Sequence, residues 1–598
     1  MQCVRNPAAR VSFPRLAARG RWRVDLWQWA LLAGCGLLVL AMTRPAFGTY
    51  FFGEDFGWVA HFRNNGDNFW RALVTPFGPF YRPMLMAVEL LWWAITPLDS
   101  FLYHARNFVA TLVVFWLLYR VLVRLVAAPA ARALGLIFFA ASKVHLTTIG
   151  WAGVFDSIVT LALILATVLC FLRYVAERRR RDYALGLVFA TLAAFTRDYG
   201  VVIAALVVVL LACYGTDWGR GRAALRGLVV QSVPLLALAV GYVIVRQAVV
   251  GAAPSQGPYA PQLALDVTLQ KLLMLTSVMG NLSFGDPGTS GASGLGAGLA
   301  GALGSPLVPA PRIEIGLYGA LLLVLAGTLW AARARWRAWL FPLAWIALYF
   351  GPTLLTRNAQ MYYLYEPLAG AAVLLAVCLD GARARWLRTW TVALVLIALS
   401  GAMSNHASAY HWQTTANAAQ QIQRPVIEAH RGEPLESITF VTNQRNWWAS
   451  VLSGPMVPEL LGLPHLQLRM ADYADLPAYQ ALANERNLVF DVDNGWVAPG
   501  DQPTPSLVLH AVHPSSTRAG EGFGVQAKGE AALSLDTENA RPGVEVVFDD
   551  TPLTTSYGNE GWVTALVPAA LYREPGRYEV YLRLGARESN RVDFVVEP

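Results

Sequence analysis

About eleven apolar stretches, each close to the length that crosses a lipid bilayer, occupy most of the first 406 residues. A spanning helix needs about 20 apolar residues, and the bilayer interior forces its backbone polar groups into internal hydrogen bonds. The pattern therefore predicts a polytopic α-helical membrane protein. The predicted spans are residues 26–46, 104–126, 132–149, 156–176, 183–200, 201–216, 227–246, 314–332, 337–356, 362–380 and 389–406.

The scarcity of charge supports the same class of protein. Charged residues make up 14% of the 598 residues, whereas soluble domains carry about 25%. The chain also has 21 tryptophans, a residue that concentrates at membrane interfaces. An ordinary soluble protein is excluded by this composition.

The net charge of +8 does not indicate nucleic-acid binding, because the arginines form short clusters between apolar stretches and no basic face. Cytoplasmic loops are enriched in Lys and Arg, so we assign the clusters and the basic N-terminus (1–25) to the cytoplasm. This places the chain in the inner or plasma membrane with its C-terminal region outside. The clusters are Arg120, Arg124 and Arg132; Arg178 to Arg181; Arg220, Arg222 and Arg226; Arg333, Arg335 and Arg337; and Arg383, Arg385 and Arg388.

Two long outer loops interrupt the predicted transmembrane domain (26–406). The first covers residues 47–103 and contains a short apolar stretch, Met84 to Pro97. If that stretch spanned, every later arginine cluster would change sides, so we predict a helix lying in the interface. The second loop covers residues 247–313, and its stretch from Leu263 to Leu282 is a candidate for another interfacial helix.

The region after the last span has two patterns. Residues 407–503 alternate strand and helix, with ITFVTN, LQLRM and LVFDVD as strands and WWASVLSGPMVPELLG (447–462) as a helix. This pattern predicts a small α/β domain outside the membrane. Residues 504–598 form short alternating strands with Gly, Pro and Asn turns, which predicts an immunoglobulin-like β-sandwich.

Three segments of that sandwich, VHPSSTRAGEGFGVQAKG, LVPAALYREPGRYEVYLR and SNRVDFVVEP, resemble the IPT/TIG domain over about 90 residues. The resemblance implies a binding or spacing role.

An acidic pair, Glu54 and Asp55, follows the first span directly. Adjacent carboxylates repel each other, so one of them can hold a raised pKa. A carboxylate at this position can deprotonate an acceptor hydroxyl, but a solvated loop pair is the other interpretation.

Further polar residues stand at the predicted outer ends of the spans, where ionisable groups are costly and mark functional sites. Asp156 and His145 are candidates for a substrate or metal contact, although an acid at a helix start also complements the helix dipole. His104, next to Arg106 and Asn107, is a weaker candidate, since a histidine at a helix mouth is usually structural.

Arginines in the same regions suit a phosphate or diphosphate group. Arg197 with Asp198 is either a local ion pair or a phosphate clamp, and Asp198 is also a candidate for a substrate or metal contact. Arg82 and Arg357 are further candidates, while Tyr362 and Tyr363 are either ligands or interface anchors.

The ordered series FFGEDFGW, FYRPM, LYHARN, FFAASKVHLTTIGWAGVFDS, FTRDYG and RNAQMYYLYEPLAG resembles the GT-C superfamily of polyprenyl-phosphate-sugar-dependent glycosyltransferases. Its style is nearest to the protein O-mannosyltransferase and TMTC-like branch. The motifs cover about residues 50–370, and their order is more specific than any one of them.

The resemblance implies a hexosyl or pentosyl transferase whose catalytic base is Asp55, beside Glu54. Three motifs depart from the family pattern: Phe155-Asp156 lacks the family's Arg, Arg197-Asp198 replaces Lys-Glu, and Arg357 with Tyr365-Glu366-Pro367 has altered spacing. These departures bear on the substrate more than on the fold.

The implied partners are a polyprenyl-phosphate sugar donor, a lipid, glycan or protein acceptor, and the membrane. A divalent metal is possible. We find no GxGxxG turn directly before a predicted helix and no P-loop for a nucleotide. Two alternatives stay open: a transporter or flippase of lipid-linked saccharides, and a catalytically degenerate envelope assembly protein.

Overall fold

The computed structural model has helices up to residue 402 and strands from Ser437 onward. The strands form the C-terminal β-sheet region that the sequence predicts. The described residues are 26–51, 68–96, 99–251, 264–281, 309–356, 360–402, 436–441, 466–472, 486–491, 495–497, 507–526, 530–540, 544–559, 561–584 and 587–598, with residues 55, 58, 61, 261, 476, 479 and 483.

The helical region begins with α1, and most described residues of the predicted spans lie on helical backbone. The helices of the described chain are α1 (Leu26–Thr43), α2 (Phe69–Val74), α3 (Pro83–Ile95), α4 (Ser100–Leu125), α5 (Pro129–Ala140), α6 (Val144–Gly150), α7 (Phe155–Glu177), α8 (Arg180–Thr196), α9 (Ile203–Leu210), α10 (Arg222–Val250), α11 (Leu265–Met279), α12 (Pro309–Ala331), α13 (Trp336–Leu354), α14 (Tyr365–Leu379) and α15 (384–402).

Several of these helices are long and apolar enough to cross a membrane, which makes the chain an integral membrane protein. Within the described residues, six helical segments meet that standard, or seven when α5 and α6 count as one bent span. The total of eleven spans stays a prediction. Helix α14 is central, because all 15 of its residues are buried and it packs against α4, α5, α7 and α13.

The predicted span 132–149 is wrong as a single straight helix. Helices α5 and α6 meet at an angle of 58°. The side chain of buried Asn281 fills the break: its Oδ1 accepts from the backbone N–H of Lys143, and its Nδ2 donates to the carbonyls of Ala141 and Ile397. An amide that pairs with both sides of a break satisfies backbone groups that the bend leaves without helical partners.

Both stretches predicted as interfacial are helical, as α3 and α11. Buried Lys271 of α11 donates to the carbonyls of Thr353 and Thr356 at the C-terminal end of α13. A cation there complements the negative end of the helix dipole.

The first part of the β region is a four-stranded sheet with the order β2-β1-β3-β4. The first three strands are parallel, and β4 is antiparallel to β3. The helix predicted at 447–462 lies outside the described residues. The strands are β1 (Ser437–Val441), β2 (Gln467–Ala471), β3 (Asn487–Asp491) and β4 (Gly495–Val497).

The remaining strands form two sheets, with the orders β10-β11-β7-β5 and β6-β14-β12-β8-β9. Leu533 and Val563 of the first sheet share one core with Val546 and Phe594 of the second. These strands are β5 (Val508–His513), β6 (Ser516–Arg518), β7 (Ala531–Glu538), β8 (Glu545–Phe548), β9 (Thr551–Pro552), β10 (Thr554–Asn559), β11 (Trp562–Val567), β12 (Gly576–Leu584), β13 (Arg587–Glu588), which pairs with β12, and β14 (Val592–Glu597).

The chain divides into two compact units. Residues 1–51 and 61–414 form the first, which contains α1 to α15. Residues 52–60 and 415–598 form the second, which contains every described strand.

Candidate functional site

Six charged side chains of the helical unit form a chain in which cations and carboxylates alternate. The guanidinium of Arg82 lies 2.8 Å from Asp156 and 3.7 Å from Asp198. Arg197 lies 3.4 Å from Asp156 and 3.0 Å from Glu366. The chain, called here the charge chain, runs in the order Arg246, Asp198, Arg82, Asp156, Arg197 and Glu366.

Exposure changes steadily along the charge chain. The side chains of Glu366 and Arg197 are each 1% exposed, Asp156 is 4% exposed and Arg82 is 11% exposed. Asp198 and Arg246 are 20% and 21% exposed. Three cations balance three carboxylates. The inner end, Arg197 and Glu366, is buried and neutralised within the protein. The outer end, Asp198 and Arg246, is exposed enough to contact a ligand.

Helix starts and helix junctions position these groups. Asp156 and Glu366 lie in the first turns of α7 and α14, where a carboxylate complements the positive end of the helix dipole. Arg82 directly precedes Pro83, the first residue of α3. Each group is therefore placed by the end of a helix and not by a long loop.

Arg197 is the extended residue between α8 and a 3₁₀ turn, Asp198–Val202. This turn needs a glycine at position 200, because a Cβ there would collide with the carbonyl oxygen of Ala193. Close approach of the turn to α8 orients Arg197 and Asp198 into the charge chain. Nη1 of Arg197 also donates to the hydroxyl of Ser157.

Aromatic rings enclose the inner end of the charge chain. The guanidinium carbon of Arg197 lies 4.6 Å from the ring centre of Tyr199 and 5.4 and 5.6 Å from those of Tyr362 and Tyr363. The ring of Tyr362 also packs edge-on against Trp151. Tyr362 and Tyr363 are buried, so they line the charged core rather than anchor an interface.

Arg82 forms the middle of the charge chain. Burial lowers its pKa, but the carboxylates of Asp156 and Asp198 outweigh burial and raise the pKa above the ordinary value for arginine. The guanidinium also lies 4.0 Å from the ring centre of Phe80. Arg82 therefore stays a cation, as a phosphate-binding group must.

The outer end of the charge chain contains a residue that the sequence argument missed. Arg246, near the end of α10, lies 3.2 Å from the Oδ1 of Asp198, which also accepts a hydrogen bond from the hydroxyl of Tyr242. Arg246 donates to the carbonyls of Gly251 and Pro79 as well. The sequence offers one signal for Arg246 as a site residue: it is a charged residue among apolar residues at the end of a predicted span.

The LYHARN motif on α4 holds the end of the short helix α6. The ring nitrogens of His104 lie 2.9 Å from the carbonyl oxygens of Ile149 and Thr49. Asn107 donates to the carbonyl of Thr148 at 3.0 Å. Both side chains are fully buried, which favours the structural interpretation of His104 over a substrate contact.

Arg106 belongs to the same motif and forms a buried ion pair that the sequence argument also missed. Its Nη1 lies 2.7 Å from Glu89 of α3, and its Nη2 donates to the carbonyl of Ala152, just after α6. His104 and Asn107 thus bind carbonyls at the end of α6, which lack helical partners, and Arg106 binds a carbonyl just beyond that end.

His145, a candidate substrate or metal contact, lies in an aromatic pocket. Its Nε2 donates to the carbonyl of Phe139 at 2.9 Å, and the rings of Phe115, Phe139 and Tyr365 pack edge-on or tilted around it. His145 is fully buried. Among the described residues, no cluster of three or more His, Cys, Asp or Glu side chains is arranged to hold a metal ion.

Asp55, the candidate base, is a buried helical residue with 3% of its surface exposed. It belongs to the compact unit that contains the C-terminal strands. Its neighbour Glu54 and the candidate phosphate ligand Arg357 lie outside the described residues.

No protein-family model and no curated protein matches the chain. Among solved structures, ArnT from Cupriavidus metallidurans bound to undecaprenyl phosphate is similar, with a TM-score of 0.45 and 13% identity over 92% of this chain and 100% of that one.

The archaeal oligosaccharyltransferase AglB from Archaeoglobus fulgidus, in complex with an inhibitory peptide and a dolichol-phosphate, is also similar. The TM-score is 0.41 and the identity 12%, over 75% of this chain and 65% of that one. The apo form of the A. fulgidus enzyme gives a TM-score of 0.41 and 13% identity over the same shares. The chain thus spans just under two thirds of the archaeal enzyme.

Proposed function

We propose that the chain is a membrane glycosyltransferase that moves a sugar from a polyprenyl-phosphate-linked donor to an extracytoplasmic acceptor. One observation carries the proposal: a charge chain at the helix ends is neutralised at its buried end and exposed at the other. Ionisable groups in a membrane protein are costly, so a built network of this kind marks a functional site.

The donor phosphate is proposed to bind at the outer end of the charge chain. Arg82 and Arg246 lie on either side of the carboxylate of Asp198, and we propose that the donor phosphate binds these two guanidinium groups beside the carboxylate. Arg197 is proposed to act one step away: it holds Asp156, which in turn orients Arg82. Tyr362 and Tyr363 then position Arg197 and do not touch the donor.

Asp55 is proposed as the catalytic base. The acceptor hydroxyl oxygen attacks the anomeric carbon, the bond from that carbon to the phosphate oxygen breaks, and the hydroxyl proton passes to the carboxylate. Polyprenyl phosphate leaves with the bonding electrons, and a single displacement inverts the anomeric centre. We further propose that the C-terminal region, which the sequence predicts to lie outside the membrane, helps to select the acceptor.

The position of the charge chain favours a transferase over a transporter. A transporter of this size usually has its polar groups near the bilayer midplane, on broken helices. Here Arg82, Asp156 and Glu366 lie at the starts of α3, α7 and α14. Groups at helix ends suit a reaction at the interface, where a lipid-linked donor presents its phosphate.

The decisive test is transfer by the full chain in liposomes that contain a polyprenyl-phosphate sugar. Asp55→Asn removes the base with little change in shape, and we expect transfer to fall by about 10²-fold or more, as for loss of a general base. Envelope glycans of cells with each variant, followed by mass spectrometry, provide the second readout. Normal transfer by an Asp55→Asn variant that inserts normally would refute the assignment of the base.

A further inference from the structure

A second polar site lies at the other end of the central helix α14. Glu366 stands near the start of α14 and Leu379 at its end. With a rise of 1.5 Å per residue, the two ends are about 20 Å apart. Beyond Leu379, the ends of α12, α14 and the starts of α13 and α15 surround a cavity of about 500 Å³.

Four arginines from two separate segments of the chain line this cavity. Arg333 and Arg335 come from the turn between α12 and α13, Arg383 from the turn after α14, and Arg385 from the first turn of α15. All four are exposed. A concave site with several cations at a helix-bundle end is a typical receptor for a phosphate group.

One carboxylate, Asp380, lines the same cavity, and this carboxylate already accepts hydrogen bonds from backbone N–H groups. Its Oδ1 accepts from the N–H groups of Ala127 and Ala128, and its Oδ2 lies 3.5 Å from Arg335. Arg335 also donates to the carbonyl of Val377 at the end of α14. The cavity therefore holds more positive than negative charge, with Arg333, Arg383 and Arg385 directed at no described carboxylate.

Two tryptophans make the cavity a built site. The guanidinium carbon of Arg333 lies 4.5 Å from the ring centre of Trp330, and that of Arg385 lies 5.9 Å from Trp386. Trp386 lies against Gly327 of α12, where an added Cβ would come within 2.7 Å of the indole. Because glycine has no side chain, it leaves room for the indole of Trp386 in the wall of the cavity.

The apolar faces beside the cavity are exposed. Leu323 and Trp330 on α12 and Val392 and Leu399 on α15 are among the exposed large apolar residues. In an integral membrane protein such faces contact acyl chains. A phosphate in the cavity can thus belong to a lipid whose chains follow α12 and α15.

We propose that this cavity binds the phosphate of an anionic phospholipid headgroup. Basic pockets between transmembrane helices are a known way to recognise such headgroups. The site is independent of the proposed transferase activity, because it shares no residue with the charge chain. Cytoplasmic loops are generally rich in arginine, and this explains why the cavity is positively charged. It does not explain why two separate segments meet at one cavity that tryptophans line.

Binding of fluorescent phosphatidylglycerol to the purified full chain tests the proposal. Arg383→Gln/Arg385→Gln removes two cavity cations, and we expect affinity to fall about 10- to 30-fold. Arg222→Gln/Arg226→Gln removes the same charge from the exposed start of α10, and we expect less than about a twofold change. Arg333→Gln gives an independent check if the double variant folds poorly.

Phosphatidylcholine and inorganic phosphate are the comparison ligands. Weak binding of phosphatidylcholine and weak competition by millimolar phosphate would support an anionic lipid site. Equal loss in the two double variants would overturn it in favour of general surface attraction. Equal binding of phosphatidylcholine, or displacement of the lipid by dilute inorganic phosphate, would also overturn it.

Discussion

Nη1 of Arg197 lies 3.0 Å from Oε1 of Glu366, and each side chain is 1% exposed. The pair connects the junction after α8 to the central helix α14. Both residues are closed off from solvent. Glu366 depends on Arg197 for charge neutrality, while Arg197 also pairs with Asp156. This relationship makes the pair a structural anchor for the charge chain.

Loss of one partner of this pair should destabilise the protein strongly. Arg197→Met leaves the carboxylate of Glu366 buried without a cation, and removing one partner of a buried pair costs about 3–5 kcal/mol. Arg197→Met/Glu366→Leu should cost less than the sum of the two single changes, because no unpaired charge stays behind. Thermal unfolding of the purified variants measures both effects.

Arg220→Gln is the control for that experiment. Arg220 forms an exposed pair with Asp217, and such pairs contribute only about 0–1 kcal/mol. A loss for Arg197→Met no larger than that of the control would contradict the anchoring role.

The contact between Asn107 and α6 predicts a second stability effect. Asn107→Leu leaves the buried carbonyl of Thr148 without its donor, at a cost of about 1–3 kcal/mol. Val109→Ala, on an exposed position of the same helix, should change stability by no more than about 0.5 kcal/mol. Urea or thermal unfolding in detergent compares the two, and equal stability would show that α6 does not need this contact.

Gly401 allows α15 to pack against Asn281, and this predicts a third effect. A Cβ at Gly401 would meet the amide of Asn281 and lie 2.9 Å from Met42. Asn281 cannot turn away without losing its bonds to Ala141 and Ile397, so Gly401→Ala should cost about 1–3 kcal/mol.

Gly34→Ala is the matched control, since a Cβ at this position of α1 meets no atom within 4 Å. Alanine in a helix is favoured over glycine by about 0.5–1 kcal/mol, so this variant should be slightly more stable. The prediction for Gly401 would be wrong if both substitutions raised the melting temperature alike.

The outer end of the charge chain predicts a kinetic effect in the proposed reaction. Arg246→Gln removes a charge-assisted contact to the donor phosphate, so we expect the KM for the donor to rise about 10- to 100-fold. The KM for the acceptor should change little. Arg226→Gln, near the other end of the same helix, is the control. A change confined to the acceptor KM would assign Arg246 to a different role.

Helix positions were predictable because a bilayer permits only helices over long apolar stretches. The bend between α5 and α6 was not, since FFAASKVHLTTIG contains no proline and no internal glycine, the residues that usually mark a break in a helix. The break depends on a side chain about 140 residues away, Asn281, whose partners are backbone groups. Backbone partners leave no trace in sequence.

The sequence predicted most residues of the charge chain, but it did not predict the ion pairs among them. Arg82, Asp156, Arg197 and Asp198 stood out as charges at helix ends, and the structure brings them together. Which cation pairs with which carboxylate depends on how the helices pack, so the pairs could not be predicted from the sequence. Arg246 was not predicted because it stands at the end of an apolar span, where an arginine is usually an ordinary charge that flanks a membrane helix.

The charge chain has a consequence for how the protein is made. Arg197 and Glu366 are 169 residues apart, so synthesis at about 5–20 residues per second separates them by roughly 8 to 34 seconds. During that interval α8 is already made while α14 is not, and the cation of Arg197 depends on Asp156 alone. Until α14 has been inserted, Asp156 is therefore the carboxylate that keeps the end of α8 neutral.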